Sequence, residues 1–176
     1  MDIASPVIAV TVLGDDRPGI VADLTTALAG LGGNLEDSTM TLLRGHFAMV
    51  VLVRTSHSAA EVETALAPLR DSGGLVVDAR LLPDHDVRDR PGAAYTLRVH
   101  GADRPGIVAG ITRVVADHGG NIVDLGTRLG RGLYVLTAEL ALPAGATPAR
   151  LEADLSAAAR RLGVDVHLSP VDDDVL

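Results

Sequence analysis

Asp16-Arg17-Pro18-Gly19-Ile20-Val21-Ala22 occurs a second time in the chain, as Asp103-Arg104-Pro105-Gly106-Ile107-Val108-Ala109. The offset is 87 residues. It also carries Gly32-Gly33-Asn34 onto Gly119-Gly120-Asn121, Asp37 onto Asp124, Arg44-Gly45 onto Arg131-Gly132 and Phe47 onto Tyr134. No gap is needed from Gly14 to Val53, and 14 of the 24 positions from Gly14 to Asp37 are identical in the two copies. The chain is two copies of one unit. Two repeats are too few for a solenoid, so each unit is expected to close its own core.

Periodicity then gives the elements of the unit. Val7 to Leu13 is short, apolar and β-branched, a buried strand. Asp16 precedes a helix whose Ile20, Leu24, Leu28 and Leu31 share one face, with Pro18 expected in its first turn. Gly32-Gly33 stops it. Asn34 to Leu43 alternates only loosely, Arg44-Gly45 turns the chain, and His46 to Arg54 is a strongly apolar strand. Ser58-x-x-Glu61 is a capping box for a second helix with Val62, Leu66 and Leu69 inward, ended by Ser72-Gly73-Gly74. Leu75 to Leu82 closes the unit.

The second copy repeats the order: strand 94–100, helix 105–118, strands 121–129 and 133–142, a helix from Thr147-Pro148, and strand 164–169. The expected fold is α+β, β-α-β-β-α-β twice, each an antiparallel sheet with helices on one face. Domains are placed at 1–83 and 93–171, with a linker at 84–92 and a tail at 172–176. A third Asp-Arg-Pro-Gly, Asp89 to Gly92, precedes a strand with no helix after it and is assigned to the linker.

Composition narrows function. Net charge is −8 and the only aromatic residues are Phe47, Tyr95 and Tyr134, so direct binding of nucleic acid is not expected. With no cysteine there are no disulfides, thiolate metal sites or cysteine nucleophiles. No basic segment followed by an apolar core opens the chain, and the longest apolar runs are far short of a membrane span. A cytoplasmic protein is expected. The six histidines, at 46, 57, 85, 100, 118 and 167, offer no helical metal pair. Asp84, His85, Asp86 and Asp89 fit no calcium-loop pattern. Neither a cofactor nor catalysis is expected.

A strand ending in Gly-x-Asp-Arg-Pro-Gly-Ile-Val, then a helix, then Gly-Gly-Asn-Leu/Ile, resembles the ACT domain. Here it stands as Gly14 to Val21 with Gly32 to Leu35, and again as Gly101 to Val108 with Gly119 to Ile122. The resemblance covers nearly the whole chain, and stand-alone tandem ACT proteins of this size are similar to the glycine cleavage system transcriptional repressor group. It implies ferredoxin-like units packed side by side. It also implies a small free amino acid, glycine or serine-like, beside the strand–helix loops, a possible protein partner and a homo-oligomer.

The loop has the chemistry for such a ligand. A helix N-terminus offers unpaired N–H groups and partial positive charge to a carboxylate. Pro18 has no N–H, so Gly19, Ile20 and Val21, with Gly106, Ile107 and Val108, are the candidate donors. Asp16, Asn34, Asp103 and Asn121 are the candidate acceptors for an ammonium. Asp16 and Asp103 can equally serve as N-caps, accepting from the N–H of Gly19 and Gly106. Arg17 and Arg104 can pair with acids or steer an anion, and His100 abuts the loop. The competing function is a ligand-free protein–protein interaction module.

Overall fold

A computed structural model describes residues 5–83, 92–130 and 132–171. The expected tail and nearly all of the expected linker, with its third Asp-Arg-Pro-Gly and the aspartates around His85, lie outside the described residues.

The chain divides into two compact units. The first runs β1 (Val7–Asp15), α1 (Ile20–Gly30), β2 (Asn34–Leu43), β3 (His46–Arg54), α2 (Ala59–Ala65), α3 (Ala67–Gly73) and β4 (Val76–Leu81). The second runs β5 (Gly92–Ala102), α4 (Ile107–Asp117), β6 (Asn121–Gly130), β7 (Leu133–Pro143), α5 (Pro148–Leu162) and β8 (Val164–Pro170). Both sheets are antiparallel and share one strand order, β2-β3-β1-β4 and β6-β7-β5-β8.

Each core lies between a sheet and its helices. In the first unit, Ile20, Leu24 and Leu28 of α1 and Val62, Leu66 and Leu69 of the α2–α3 segment bury against alternate residues of β1 and β3: Ile8, Val10, Val12, Phe47, Met49, Val51 and Val53. Burial of an aliphatic side chain of this kind stabilises by about 1.5–3 kcal/mol. The second core is built alike, from Ile107, Ile111 and Val115 of α4 and Leu151 and Leu155 of α5 against Leu97, Val99, Leu136, Ala138 and Leu140.

Helix ends follow the glycines. At the end of α1 the N–H of Gly32 donates to Ala29 O (2.9 Å) and that of Gly33 to Leu28 O (3.0 Å). This is a Schellman closure with Gly32 left-handed at φ 63°. Gly119 and Gly120 repeat it on Ala116 and Val115. A Cβ on Gly33 would stand 2.7 Å from Val53 Cγ2 and 2.8 Å from Leu28 O, so that position admits glycine alone.

Two expectations are corrected here. The second helix is not continuous: it breaks at Leu66, because Pro68 lacks the N–H that would bond back into the preceding turn. The corresponding α5 has its proline at the N-terminus and runs unbroken for 15 residues. Asp16 and Asp103 are not N-caps. The capping residues are Gly19 and Gly106, and neither helix start has a side-chain cap bond.

The Ser58 capping box forms in full. Ser58 N–H donates to Glu61 Oε2 (2.8 Å), and Glu61 N–H donates to Ser58 Oγ (3.3 Å). The Ser58 backbone N–H, then its hydroxyl and His57, hold the Glu61 carboxyl below the usual carboxylate range. A depressed carboxyl contributes stability above its unfolded pKa and loses it as pH falls through the folded value. Ser58→Ala is expected to lower stability by about 1 kcal/mol in urea unfolding. The deficit of Glu61→Gln relative to wild type should be full at neutral pH and shrink below about pH 4. Gly33→Ala should cost ~1–3 kcal/mol by forcing Val53 and the Leu28 carbonyl apart.

Candidate functional site

The repeated heptapeptide folds as a turn into a helix. Proline stands at the second turn position. Glycine stands at the third, with φ 94° and ψ −9° for Gly19 and φ 89° and ψ 0° for Gly106. That is a type II turn, whose third residue must be left-handed. The turn sets glycine at the helix start, three residues after the aspartate, which is why Asp16 and Asp103 fall outside capping range. Asp16 is instead pinned through its backbone, its N–H donating to Gly45 O in the β2–β3 hairpin (3.0 Å).

The ladder of α1 begins with the N–H of Asp23 on Gly19 O (2.8 Å), and that of α4 with the N–H of Gly110 on Gly106 O (2.8 Å). Among the described residues, the N–H groups of Val21 and Ala22, and of Val108 and Ala109, have no protein acceptor. The N–H groups of Gly19 and Ile20, and of Gly106 and Ile107, have none either, so the open donors include the expected ones and extend one residue further, to Ala22 and Ala109. Ile20 and Ile107 send their side chains into the cores, each 2% exposed.

The two tips are unequal. In the first unit Arg17 folds back over the turn, its Nη1 donating to Asp23 Oδ2 (3.0 Å) and to Pro18 O (3.3 Å). A Cβ on Gly19 would lie 3.9 Å from Asp23 Oδ2 and 3.8 Å from Arg17 Nη1. The tip of α1 thus carries its own carboxylate and guanidinium. The residue equivalent to Asp23 in the second unit is Gly110, which has no carboxylate. Arg104 lies instead against Gly163, the left-handed residue at the C-terminal end of α5. There the helix dipole favours a cation.

Beside the tip of α4 is a hollow of about 360 Å³ lined by Asp103, Arg104, Gly106, Ile107, Val108, Ala109 and Tyr134. Four of the second unit's five expected site residues are brought together there: Asp103, Gly106, Ile107 and Val108. Tyr134, Arg104 and Ala109 join them. The signal for Tyr134 was in the repeat: its counterpart Phe47 is buried (2% exposed), whereas Tyr134 is half-buried and adds a hydroxyl.

Asn34 and Asn121 are not brought to the tips of their own units. Asn121 pairs with Ala141 whereas Tyr134 pairs with Gly101, seven residues away along β7, or roughly 23 Å at strand rise. Asn34, opposite Arg54, is equally far from Gly14, opposite Phe47. Each helix runs back along its sheet, so its start and the Gly-Gly-Asn after its end lie at opposite ends. His100 lies on the open face of its sheet, 3.7 Å from Asp165, and does not line the hollow. Among the described residues no three His, Asp or Glu side chains converge as a metal site, and no helix is long and apolar enough to cross a membrane.

Residues 7–79 and 96–169 each match the ACT domain family model, and the chain belongs to the ACT domain family. Among curated proteins it is similar to the glycine cleavage system transcriptional repressor of Escherichia coli, at 31% identity over 69% of this chain and 64% of that protein. It is also similar to a UPF0237 protein of Methanopyrus kandleri, at 45% identity over 36% of this chain and 71% of that one. A crystal structure of an unknown protein from Galdieria sulphuraria superposes with a TM-score of 0.80 at 32% identity, covering 95% of this chain and 99% of that one. A candidate glycine cleavage system transcriptional repressor shares the fold, with a TM-score of 0.71 at 20% identity over 96% and 98% of the two chains.

Restoring an acid at the second tip tests this asymmetry. Gly110→Asp, whose Cβ would stand 3.0 Å from Leu162 Cδ1 and must shift that side chain, is expected to draw Arg104 onto the α4 start, as Asp23 draws Arg17. A tyrosine-fluorescence or chemical-shift change at Tyr134 would report it.

Proposed function

We propose that this chain is a non-catalytic regulator that binds one small free amino acid at the tip of α4 and passes the bound state to a protein partner. The carrying observation is the hollow beside that helix start, with unused backbone donors, an arginine, an aspartate and a tyrosine around it. The ligand carboxylate takes the N–H groups of Val108 and Ala109, aided by the dipole of α4 and the charge of Arg104. The Asp103 carboxylate takes the ammonium, and the Tyr134 hydroxyl offers a further bond.

The name of the Escherichia coli relative ties that protein to glycine cleavage. Carried to this chain, it makes glycine, or a serine-like amino acid, the first ligand to try. The tip of α1, which holds its own Asp23 carboxylate near the turn, is not used. Signalling requires only that the ligand favour one state of the protein over another.

Titration calorimetry and thermal unfolding with each of the twenty amino acids test the reading. One ligand class should bind at one site per chain, and at 100 times Kd it should add about 2.7 kcal/mol of stability. Arg104→Ala should weaken binding by roughly 10- to 100-fold through a lost charged contact of ~1.5–3 kcal/mol, leaving the fold intact. Gly106→Ala is the wrong probe, because its φ of 89° strains any side chain whether or not a ligand binds. A flat response to all twenty would leave the interaction-module reading in its place.

A further inference from the structure

We infer that the open face of the first unit's sheet, turned away from its helices, binds the same face of a second copy of the chain. The inference does not depend on the ligand reading.

Strand pairing places open-face residues in rows across the four strands, written here from β4 through β1 and β3 to β2. They read Val76-Leu13-Ala48-Thr41, then Asp78-Thr11-Val50-Thr39, then Arg80-Ala9-Leu52-Asp37. Much of this face is apolar and open to solvent: Leu13 and Val50 on the two central strands are 54% and 40% exposed, and Val76 on the edge strand 66%. The second unit is a control made by the same duplication. Its rows read Asp165-His100-Val135-Arg128, His167-Arg98-Thr137-Gly126 and Ser169-Thr96-Glu139-Asp124. Where the first unit has Leu13, Thr11 and Leu52 at its centre, the second has His100, Arg98 and Glu139. Covering that second face would strip water from charges at its middle, which is costly. The fold therefore does not require an apolar open face, and only the first unit has one.

The face fits its own copy. Its first row passes from large side chains, Val76 and Leu13, to small ones, Ala48 and Thr41. A hollow of about 290 Å³ lies over the small end, lined among others by Thr39, Thr41, Ala48 and Val50. A two-fold axis parallel to the strands reverses each row over itself. It seats Val76 and Leu13 of one copy over Thr41 and Ala48 of the other, and the reverse, as an isologous contact demands. The same operation brings Arg80 at one end of the third row over Asp37 at its other end. Arg80 is 79% exposed, and Asp78 beside it is its partner within the chain. The charges are thus self-complementary, and no unpaired charge falls at the centre.

Four strands about 4.8 Å apart and three rows about 7 Å apart give a flat footprint on the order of 400 Å² per copy. That is small for a specific interface, so the dimer is reversible and depends on concentration.

Sedimentation velocity of the full chain, from micromolar to several hundred micromolar, is the test. A monomer–dimer equilibrium is expected. The combined variant Leu13→His, Val50→Thr and Leu52→Glu places at each position the residue that the second unit carries there, so the fold tolerates each. It should raise the dimer Kd at least tenfold while circular dichroism and unfolding cooperativity stay those of wild type. Asp37→Arg and Arg80→Asp should each weaken the dimer, and the pair together should restore it. The inference is overturned if the wild-type chain is monomeric throughout, or if its dimer survives the three-residue variant unchanged.

Discussion

A left-handed glycine directly after a proline is the constraint on which both units turn. At Gly19 and Gly106 the positive φ ends a type II turn and starts a helix in one residue. Because glycine occupies the capping position, no side chain of the turn reaches back to satisfy the helix start. The inward side chains of Ile20 and Ile107 then lock each helix onto its sheet. From that point the helix has one available path, back along the strand that led into it. The Schellman glycines 32 and 119 close it where the edge strand begins. A turn good enough to start a helix without a cap leaves backbone donors open.

The two copies use this constraint differently. In the first, Asp23 supplies the negative charge that the helix start favours, and Arg17 neutralises it (3.0 Å). In the second, a glycine stands in its place and the arginine is held at the far end of another helix. The open sheet faces diverge too, apolar in the first unit and charged in the second. The duplication has left two halves of one fold with different surfaces, an open helix start beside a hollow in one and an apolar sheet face in the other.

Much of this was legible in the residues. The 87-residue offset fixed the number of units, and the order of elements followed from periodicity and glycines. The Ser58 box formed as read. What failed were distances through space. Asn34 and Asn121 looked close to the loop in the motif, yet an 11-residue helix stands between them and the turn. Aspartate was read as a cap because its preference for that role is strong, but a type II turn moves the cap to glycine. The loose alternation of Asn34 to Leu43 also has a physical cause. This strand is at the sheet edge beyond the reach of the helices, so nearly all of its residues are exposed and no face needs to be apolar. The difference between the open faces was present in the aligned letters, but only the strand register shows which letters share a face.

Position 23 and its counterpart 110 lie one helical turn past the glycine, outside the heptapeptide. The scaffold and the occupancy of its mouth are thus written in different letters. A carboxylate or a hydrogen there decides whether the helix start carries its own charge, and the backbone bend that creates that start is set by other residues. A lineage carrying this architecture can change the charge at one helix mouth and keep that of its twin by a single codon, while the costly geometry is inherited intact.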